Sequence, residues 1–492
     1  MTAGAESDRA ASAASAASMV LPLALAQFLA SYAGTNMNVA ISTIAKDIGS
    51  TVIGLQTTIT LFTLTMASLM IPGSKATDIW GRKRCFVAGL IVYGTGALLA
   101  SFAQGLGLMI FGYSLLEGIG SALFIPPIYI LITVAFPDTR SRAKYFGVVS
   151  GAAGLGAAAG PLVGGLITST ISWRASFILQ VLIIGLIAVL SRRIVDPPQQ
   201  GPKPHFDVVG AILSAAGLFF VVLGILQSGT YGWLVSRKDF SIGNTVVLSK
   251  GSVSPVWLFV GIGALILVWF FLHIRSTERK GTEPLLSMRL FRNRTSNLGL
   301  GTQNIQWLVL QGSFFVISVY LQEVWRYDAI KTGLMLTPAT LGILASSAAA
   351  GRFAQRRSQR FLIRAGFIVT TSGMVLLLLL VRENSGVWSF VPGLLLMGIG
   401  IGVMLTSSVN VVQSSFPESD QADISGLSRS VSNLGSSLGT ALAGSIIVAV
   451  ALPKGGPFAA SLATLTVVAA IGLVLALLLP QQPASPDTAD VR

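Results

Sequence analysis

The stretch "GAAGLGAAAGPLVGG", residues 151–165, contains six glycines and one proline inside a long apolar segment. Gly156, Gly160 and Gly164 recur at intervals of four, so they lie on one face of a helix. A face without side chains lets a second helix backbone approach closely, as in helix pairs within membranes. Pro161 removes one backbone hydrogen bond and predicts a bend. The stretch therefore predicts a bent, tightly packed helix inside a membrane bundle.

The composition of the whole chain agrees with this interpretation. Its 492 residues are 52% hydrophobic and only 11% charged, which is too little charge for the surface of a soluble protein of this size. Because a helix needs roughly 20 apolar residues to cross the hydrocarbon core, hydropathy predicts an all-α membrane protein with fourteen spans. They lie near residues 19–41, 53–73, 85–104, 107–134, 144–167, 175–194, 208–228, 256–274, 296–322, 331–351, 361–381, 389–412, 424–451 and 457–480.

Two parts of the chain repeat the same features. The thirteenth span carries Gly435, Gly439 and Ala443 at the four-residue interval seen in the fifth span. A basic loop, "SKATDIWGRKR" (74–84), follows the second span, and another, "GRFAQRRSQR" (351–360), follows the tenth. Internal repeats of this kind are common in transporters. The predicted organisation is a cytoplasmic tail (1–18), an N-terminal six-helix bundle (19–194), two inserted helices (208–274) with an extracytoplasmic loop (228–256), a C-terminal six-helix bundle (296–480) and a second cytoplasmic tail (481–492).

The charges and the cysteine count exclude several classes of protein. The net charge of +14 could suggest a nucleic-acid partner, but short loops between spans offer no module that reads a groove. If the N-terminus is cytoplasmic, about 23 of the 33 Lys and Arg residues fall on cytoplasmic segments, as the positive-inside rule requires. Cys85 is the single cysteine and the two histidines, His205 and His273, lie far apart. We therefore expect no nucleic acid, no disulfide, no metal and no cofactor.

Four stretches make the chain resemble the fourteen-helix drug:proton antiporter branch of the major facilitator superfamily. "TDIWGRKR" (77–84) is similar to the loop signature G-x-L-x-D-x-x-G-R-K, and "GLGAAAGPLVGG" (154–165) matches the antiporter signature G-x-x-x-G-P-x-x-G-G. "SWRASF" (172–177) and "YLQEVWRYDAIKTGLMLTP" (320–338) resemble further motifs of this branch. The chain departs from the branch at Ala33 and Ser114, which stand where an acid–base pair is usual. The role of that pair in proton coupling cannot be transferred to them.

The resemblance implies which residues control access to the binding site. It implies that Asp78 contacts the N-terminus of the thirteenth helix, near 423–426, where a carboxylate favours the helix dipole. It also implies that the glycine face of the fifth helix seals against the other half and rocks there, whereas static packing is the plainer alternative. The predicted gating residues are Asp78, Gly81, Arg82, Lys83, Gly156, Gly160, Pro161, Gly164 and Gly165.

Polar residues form helical stripes on the first, fourth, ninth and twelfth spans, the spans that line the cavity in the facilitator fold. The predicted cavity residues are Gln27, Ser31, Thr35, Asn38, Tyr113, Glu117, Gln303, Asn304, Trp307, Gln311 and Asn410. Glu117 is the candidate for proton coupling, because desolvation favours the neutral form of a carboxyl in mid-span. It could instead attract a cationic substrate or only bond neighbouring helices. Arg429, two turns into the thirteenth span, either faces the cavity or extends to the interface.

These features predict a secondary active transporter working by alternating access. We expect it to be a monomer in the cell membrane, with both termini cytoplasmic, that exports amphipathic small molecules in exchange for protons. A lipid or fatty-acid transporter of the same fold is one alternative, and a membrane sensor or scaffold that transports nothing is another. An enzyme is not expected, because the spans contain no nucleophile–base pair and no set of metal ligands.

Overall fold

A computed structural model describes residues 3–136, 139–194, 196, 206–242, 245–382, 385–417, 420–449 and 455–480. Its helices are α1 (Ala3–Asp47), α2 (Val52–Trp80), α3 (Arg82–Ser101), α4 (Leu106–Met109), α5 (Gly118–Ala135), α6 (Thr139–Thr170), α7 (Trp173–Leu190), α8 (Val208–Tyr231), α9 (Pro255–Arg279), α10 (Arg294–Glu323), α11 (Ala329–Arg356), α12 (Gln359–Leu380), α13 (Val391–Gln413), α14 (Gln421–Ala449) and α15 (Gly456–Leu477). A π-helical segment, Ile110–Glu117, joins α4 to α5 within one continuous span.

Fourteen of the described segments are long and apolar enough to cross a bilayer, which confirms the number of spans predicted from hydropathy. The residues of the predicted tail 1–18 are helical from Ala3 onward as part of α1, and the part of α1 that can cross the membrane begins at Ser18. The predicted tail 481–492 lies outside the described residues. Helices α1–α7 pack into one bundle and α10–α15 into a second, while α8 packs on α9 and also against α2 and α14.

The glycine faces give the two bundles the same internal packing. In α6, a Cβ atom built at Gly156 would meet the backbone of Phe28 in α1. In α14, Gly435 and Gly439 lie in the same way against the backbones of Asn304 and Leu308 in α10. Helices α6 and α14 therefore occupy equivalent positions, each pressed against the first helix of its own bundle.

This packing corrects one expectation from the sequence. The face formed by Gly156, Gly160 and Gly164 contacts α1 of the same half, and does not contact the other half. The neighbouring face reaches the other half: Gly165 lies against Ala329, and the carbonyl of Pro161 lies against Gly333. The reason is that the four-residue interval defines a face of the helix but not the direction in which that face points.

The loop between α8 and α9 forms a small antiparallel hairpin. Strand β1 (Phe240–Ile242) pairs with β2 (Thr245–Leu248). We call the side of the bundle that carries this hairpin the hairpin end, and the opposite side, where "GRKR" (81–84) joins α2 to α3, the basic end.

Asp207 fastens the inserted helices at the basic end. Its carboxylate accepts hydrogen bonds from the backbone N–H of Gly210 at 2.8 Å and of Leu285 at 3.2 Å, and lies 2.9 Å from Nε2 of His273. Burial by itself raises the pKa of Asp207, but these contacts outweigh it and hold the pKa below its ordinary value. The start of α8 is thereby tied both to α9 and to the linker that leads into the second bundle.

Candidate transport cavity

A cavity lies between the two bundles at the middle of the spans. It has two adjacent lobes of about 70 Å³ and about 80 Å³. Both lobes are bordered by Ser31, Ala157, Trp307, Leu310 and Arg429, from α1, α6, α10 and α14. Because both bundles contribute to the wall, any rocking of one bundle against the other changes the shape of the cavity.

Six of the residues predicted from the polar stripes lie on the cavity wall. They are Gln27, Ser31, Thr35, Trp307, Gln311 and Asn410. Apolar and aromatic side chains fill the spaces between them, including Phe62, Met66, Ile125 and Leu405. A wall of this kind, mostly apolar with a few separate polar groups, is typical of a site for amphipathic small molecules.

The other five predicted cavity residues lie elsewhere. Gln303 and Asn304 join α10 to α14 within the second bundle: Gln303 Nε2 donates to Ser432 Oγ at 2.8 Å, and Asn304 Nδ2 donates to the carbonyl of Val431 at 2.8 Å. Asn38 is buried near the hairpin end. Tyr113 stacks on Phe62 inside the first bundle, with ring centres 4.6 Å apart. Glu117 is also buried inside that bundle. Gln303, Asn304, Tyr113 and Glu117 thus share a helix with cavity residues but lie against neighbours in their own half.

A polar network extends from Glu117 toward the cavity. The phenol of Tyr93 lies beside the Glu117 carboxyl and donates a hydrogen bond to Gln180 Oε1 at 2.6 Å. Ser176 is one turn from Gln180 on α7, and its Oγ lies 2.6 Å from the hydroxyl of Tyr32 and accepts from Asn36 at 2.9 Å. Tyr32 and Asn36 flank Thr35 in α1, on the cavity wall. Polar groups thus lie between Glu117 and the cavity, although neither carboxyl oxygen of Glu117 has a hydrogen-bond partner among the described residues and Glu117 does not line the cavity.

Arg429 faces the cavity. Its position in the sequence is equally consistent with a side chain that extends to the membrane interface. The side chain borders both lobes. Its guanidinium lies 4.7 Å from the ring centre of Tyr129 and contacts the Tyr129 hydroxyl. That hydroxyl in turn donates to Gln27 Oε1 at 3.2 Å. Arg429 therefore joins the second bundle to the first at the wall of the cavity.

Sequence reasoning missed the contribution of α14 to the wall. Ser432, Asn433 and Ser436 border the cavity beside Arg429. The signal was present, because positions 429, 433 and 436 form a polar stripe at helical spacing on the thirteenth span. The resemblance to the facilitator fold predicts that the first, fourth, ninth and twelfth spans line the cavity, so it assigns no role to this stripe on the thirteenth span.

At the hairpin end, contacts between the bundles close the cavity. Ser42 Oγ in α1 donates to Glu323 Oε1 at 2.8 Å, and the Ser42 N–H donates to Gln322 Oε1 at 3.0 Å. Between α6 and α11, the N–H of Ile330 donates to Ser169 Oγ at 2.9 Å. Together with the Gly165 and Gly333 contacts, these bonds form a seal across this end, which we call the hairpin-end seal.

At the basic end, α2 meets the start of α14, as the loop signature predicts. The ion pair there joins Lys75 Nζ to Asp423 Oδ1 at 3.5 Å, and Gly426 lies against Ser74. Asp78 is one turn further along α2, close to the charges of Lys75, Asp423 and Arg82. The bundles thus meet at the predicted place, and Lys75 and Ser74 supply contacts there that the prediction assigned to Asp78.

The last part of the loop signature makes a different contact, through Gly81, Arg82 and Lys83. Gly81 has a positive φ of 96°, which turns the chain sharply from α2 into α3. The N–H of Lys83 donates to Asp196 Oδ2 at 3.0 Å, and Arg82 Nη1 lies 3.8 Å from Asp196 Oδ1. The signature therefore anchors the start of α3 to the chain just after α7. Asp196 has no sequence signal of its own.

We expect Asp78→Asn to lower transport at least about fivefold, the lower range for coupling between two states. The change removes a negative charge from a cluster that also contains Lys75, Arg82, Asp423 and Glu283 and so alters the balance of charge where α2 meets α14, while asparagine keeps the size of the side chain. Transport by reconstituted protein measures the effect, and Asp239→Asn, in the loop at the hairpin end, is a control with the same charge change. If the Asp78→Asn protein transports at the wild-type rate, the loop signature only sets the orientation of the chain in the membrane.

Comparison with known proteins identifies the family that has this two-bundle fold. The profile of the Major Facilitator Superfamily matches residues 23–291, 241–440 and 299–491. The chain is 28% identical over 423 residues to the probable actinorhodin transporter of Streptomyces coelicolor, covering 84% of this chain and 69% of the relative. It is 28% identical over 421 residues to puromycin resistance protein pur8 of Streptomyces alboniger, covering 85% of this chain and 79% of the relative.

A third relative and one solved structure extend the comparison. The cephamycin export protein CmcT of Amycolatopsis lactamdurans is 27% identical over 424 residues, covering 85% of this chain and 82% of the relative. The crystal structure of the human organic anion transporter MFSD10 (TETRAN) superimposes with a TM-score of 0.60 at 13% identity, covering 94% of this chain and 99% of that one. The structure shows the shared fold, and the family profile spans both bundles. The chain belongs to the Major Facilitator Superfamily and is a multi-pass membrane transporter related to drug and antibiotic exporters.

Proposed function

We propose that this protein exports amphipathic small molecules from the cytoplasm in exchange for protons. The observation that carries the proposal is the midspan cavity, which both bundles line with apolar side chains and a few separate polar groups. Such a site accepts molecules with an apolar body and one or two polar groups. The named relatives, which include an antibiotic transporter, an antibiotic resistance protein and an antibiotic export protein, support the same class of substrate.

Alternating access follows from the contacts around the cavity. The hairpin-end seal consists of hydrogen bonds between helix ends and of glycine contacts, which can separate as the bundles rock. On α6 toward the basic end, Cβ atoms built at Gly147 and Gly151 would meet nothing within 4 Å. Space on one side of the cavity and a seal on the other support a transporter that opens to its two ends in turn.

Proton coupling is assigned to Glu117. A buried carboxyl in a span is costly unless it is neutral or has a function, and π-helical segments such as the one that ends at Glu117 occur often at functional sites. The polar side chains of Tyr93, Gln180 and Ser176 lie between this carboxyl and α1 at the cavity. Protonation of Glu117 would then alter the hydrogen bonds beside the substrate.

The proposed direction requires the basic end to be cytoplasmic. We expect a cysteine introduced as Ser241→Cys in a Cys85→Ser background to react with an impermeant maleimide added outside intact cells, because Ser241 lies exposed in the hairpin. Arg84→Cys in the same background, at the opposite end, should react only after the membrane is permeabilised. The reverse pattern would contradict the orientation.

The decisive experiment is transport of a panel of amphipathic compounds by purified protein in liposomes, with and without an imposed pH gradient. We expect accumulation that depends on the gradient and disappears when a protonophore is added. Fluorescent phospholipid and fatty-acid probes belong in the same panel, because transport of these alone would favour the lipid alternative. No transport of any compound above protein-free liposomes would overturn the proposal.

A further inference from the structure

The only formal charge on the described part of the cavity wall is positive. Among the described side chains that border the two lobes, Arg429 is the one ionic group, and none is a carboxylate. An arginine keeps its charge at neutral pH. The ion pairs found among the described residues do not include Arg429. A cation in the middle of a membrane protein thus borders the cavity with no anion beside it among the described residues.

The contacts that Arg429 makes offset only part of the cost of placing its charge inside the membrane. The ring of Tyr129 provides a cation–π contact and its hydroxyl accepts one hydrogen bond. A guanidinium has five N–H donors in a planar fork, which suits a carboxylate better than a single hydroxyl. Charged groups inside membrane spans are costly and are found where they meet a partner or a substrate. The missing partner of Arg429 is an anion.

The surroundings of Arg429 suit the rest of such a molecule. Trp307 and Leu310 border both lobes together with Arg429, and Phe62 and Met66 extend the apolar wall. Asn433 and Ser436, on the same face of α14, offer neutral hydrogen-bonding groups. An apolar or aromatic body can therefore lie against Trp307 while an acidic group reaches the guanidinium.

We infer that the substrates of this transporter are amphipathic organic anions whose carboxylate, or a similar acidic group, pairs with Arg429. This inference rests on the proposed export function and names its substrate class. Tyr129 holds the guanidinium in the empty cavity, and the substrate anion takes the place of the Tyr129 hydroxyl. Neutral or cationic molecules of the same shape gain no such contact and, if cationic, meet a like charge.

Three dansyl compounds of different charge test the inference. Dansylglycine is anionic, dansylglycinamide is its neutral counterpart and dansylcadaverine is cationic. Binding to the purified full chain can be followed by the rise in dansyl fluorescence. We expect the wild type to bind dansylglycine at least about tenfold more tightly than dansylglycinamide, the effect of one charge-assisted contact, and to bind dansylcadaverine most weakly.

Substitutions then assign the effect to one residue. Arg429→Gln should remove the preference for dansylglycine over dansylglycinamide, while Arg429→Lys should keep part of this preference. Arg275→Gln removes an exposed arginine of α9 and should change nothing. Equal wild-type affinities for the anion and the amide, preference for the cation, or no saturable binding of dansylglycine would overturn the inference, and none of these results depends on a variant that folds.

Transport separates this inference from the proposed function. If proteoliposomes transport dansylcadaverine or dansylglycinamide but not dansylglycine, the export function stands and the anionic substrate class is wrong. If dansylglycine is transported and the preference is lost in Arg429→Gln, both stand. If no compound of the wider panel is transported, the export function itself fails, whatever the binding data show.

Discussion

Replacing Gly165 or Gly333 with alanine is expected to reduce transport about tenfold or more, since overpacking costs about 1–3 kcal/mol and 1.4 kcal/mol is a factor of ten. A Cβ at Gly165 would lie 2.5 Å from the carbonyl oxygen of Ala329, and a Cβ at Gly333 would collide with the carbonyl of Pro161. Both collisions involve backbone atoms, which cannot turn aside as a side chain can. The added methyl group therefore opposes closure of the hairpin-end seal.

The strain exists only while this end is closed, so the substitutions should favour the state in which α6 and α11 separate. Spin labels attached through Thr170→Cys and Lys331→Cys, in a Cys85→Ser background, would report the separation as a longer mean distance. Gly151→Ala is the matched control on α6, because a Cβ there meets nothing within 4 Å. An unchanged distance together with wild-type transport in Gly165→Ala and Gly333→Ala would show that the seal does not control access.

Glu117→Gln is expected to abolish transport driven by a pH gradient, down to the level of protein-free liposomes, while exchange between two pools of substrate continues. Glutamine has nearly the same size and keeps the buried position beside Tyr93 and inside the first bundle, but it cannot take up or release a proton. Glu283→Gln, an exposed residue of the linker between α9 and α10, is the matched control.

The outcomes of this experiment distinguish three roles of Glu117. Loss of pH-driven transport with exchange retained assigns the residue to coupling. Loss of cationic substrates alone would assign it to recognition of charge, which would also conflict with the role inferred for Arg429. Wild-type transport and wild-type pH dependence would leave Glu117 as a structural residue, so that another source of energy would have to be sought.

Part of the candidate site could be predicted from the sequence. Gln27, Ser31, Trp307 and Gln311 lie on the cavity wall, where the polar stripes of α1 and α10 predict them. On the same helix as Trp307 and Gln311, Gln303 faces α14 instead. A stripe of polar residues at steps of three or four marks a face broad enough to meet both a cavity and a neighbouring helix. The pattern does not show which polar residues of the stripe face the cavity and which face the neighbouring helix.

The sequence by itself determined that this chain crosses the membrane fourteen times, because each span must be long and apolar enough and must satisfy its own backbone hydrogen bonds. It also determined the equivalence of α6 and α14, since glycines at four-residue intervals recur in both. Only the tertiary structure decided how each helix is rotated about its axis. In a membrane, lipid is as apolar as the protein interior, so hydropathy does not orient a helix within the bundle. The rotation is set by packing against particular neighbours, which turned the glycine face of α6 toward α1, Glu117 into its own bundle and Arg429 into the cavity.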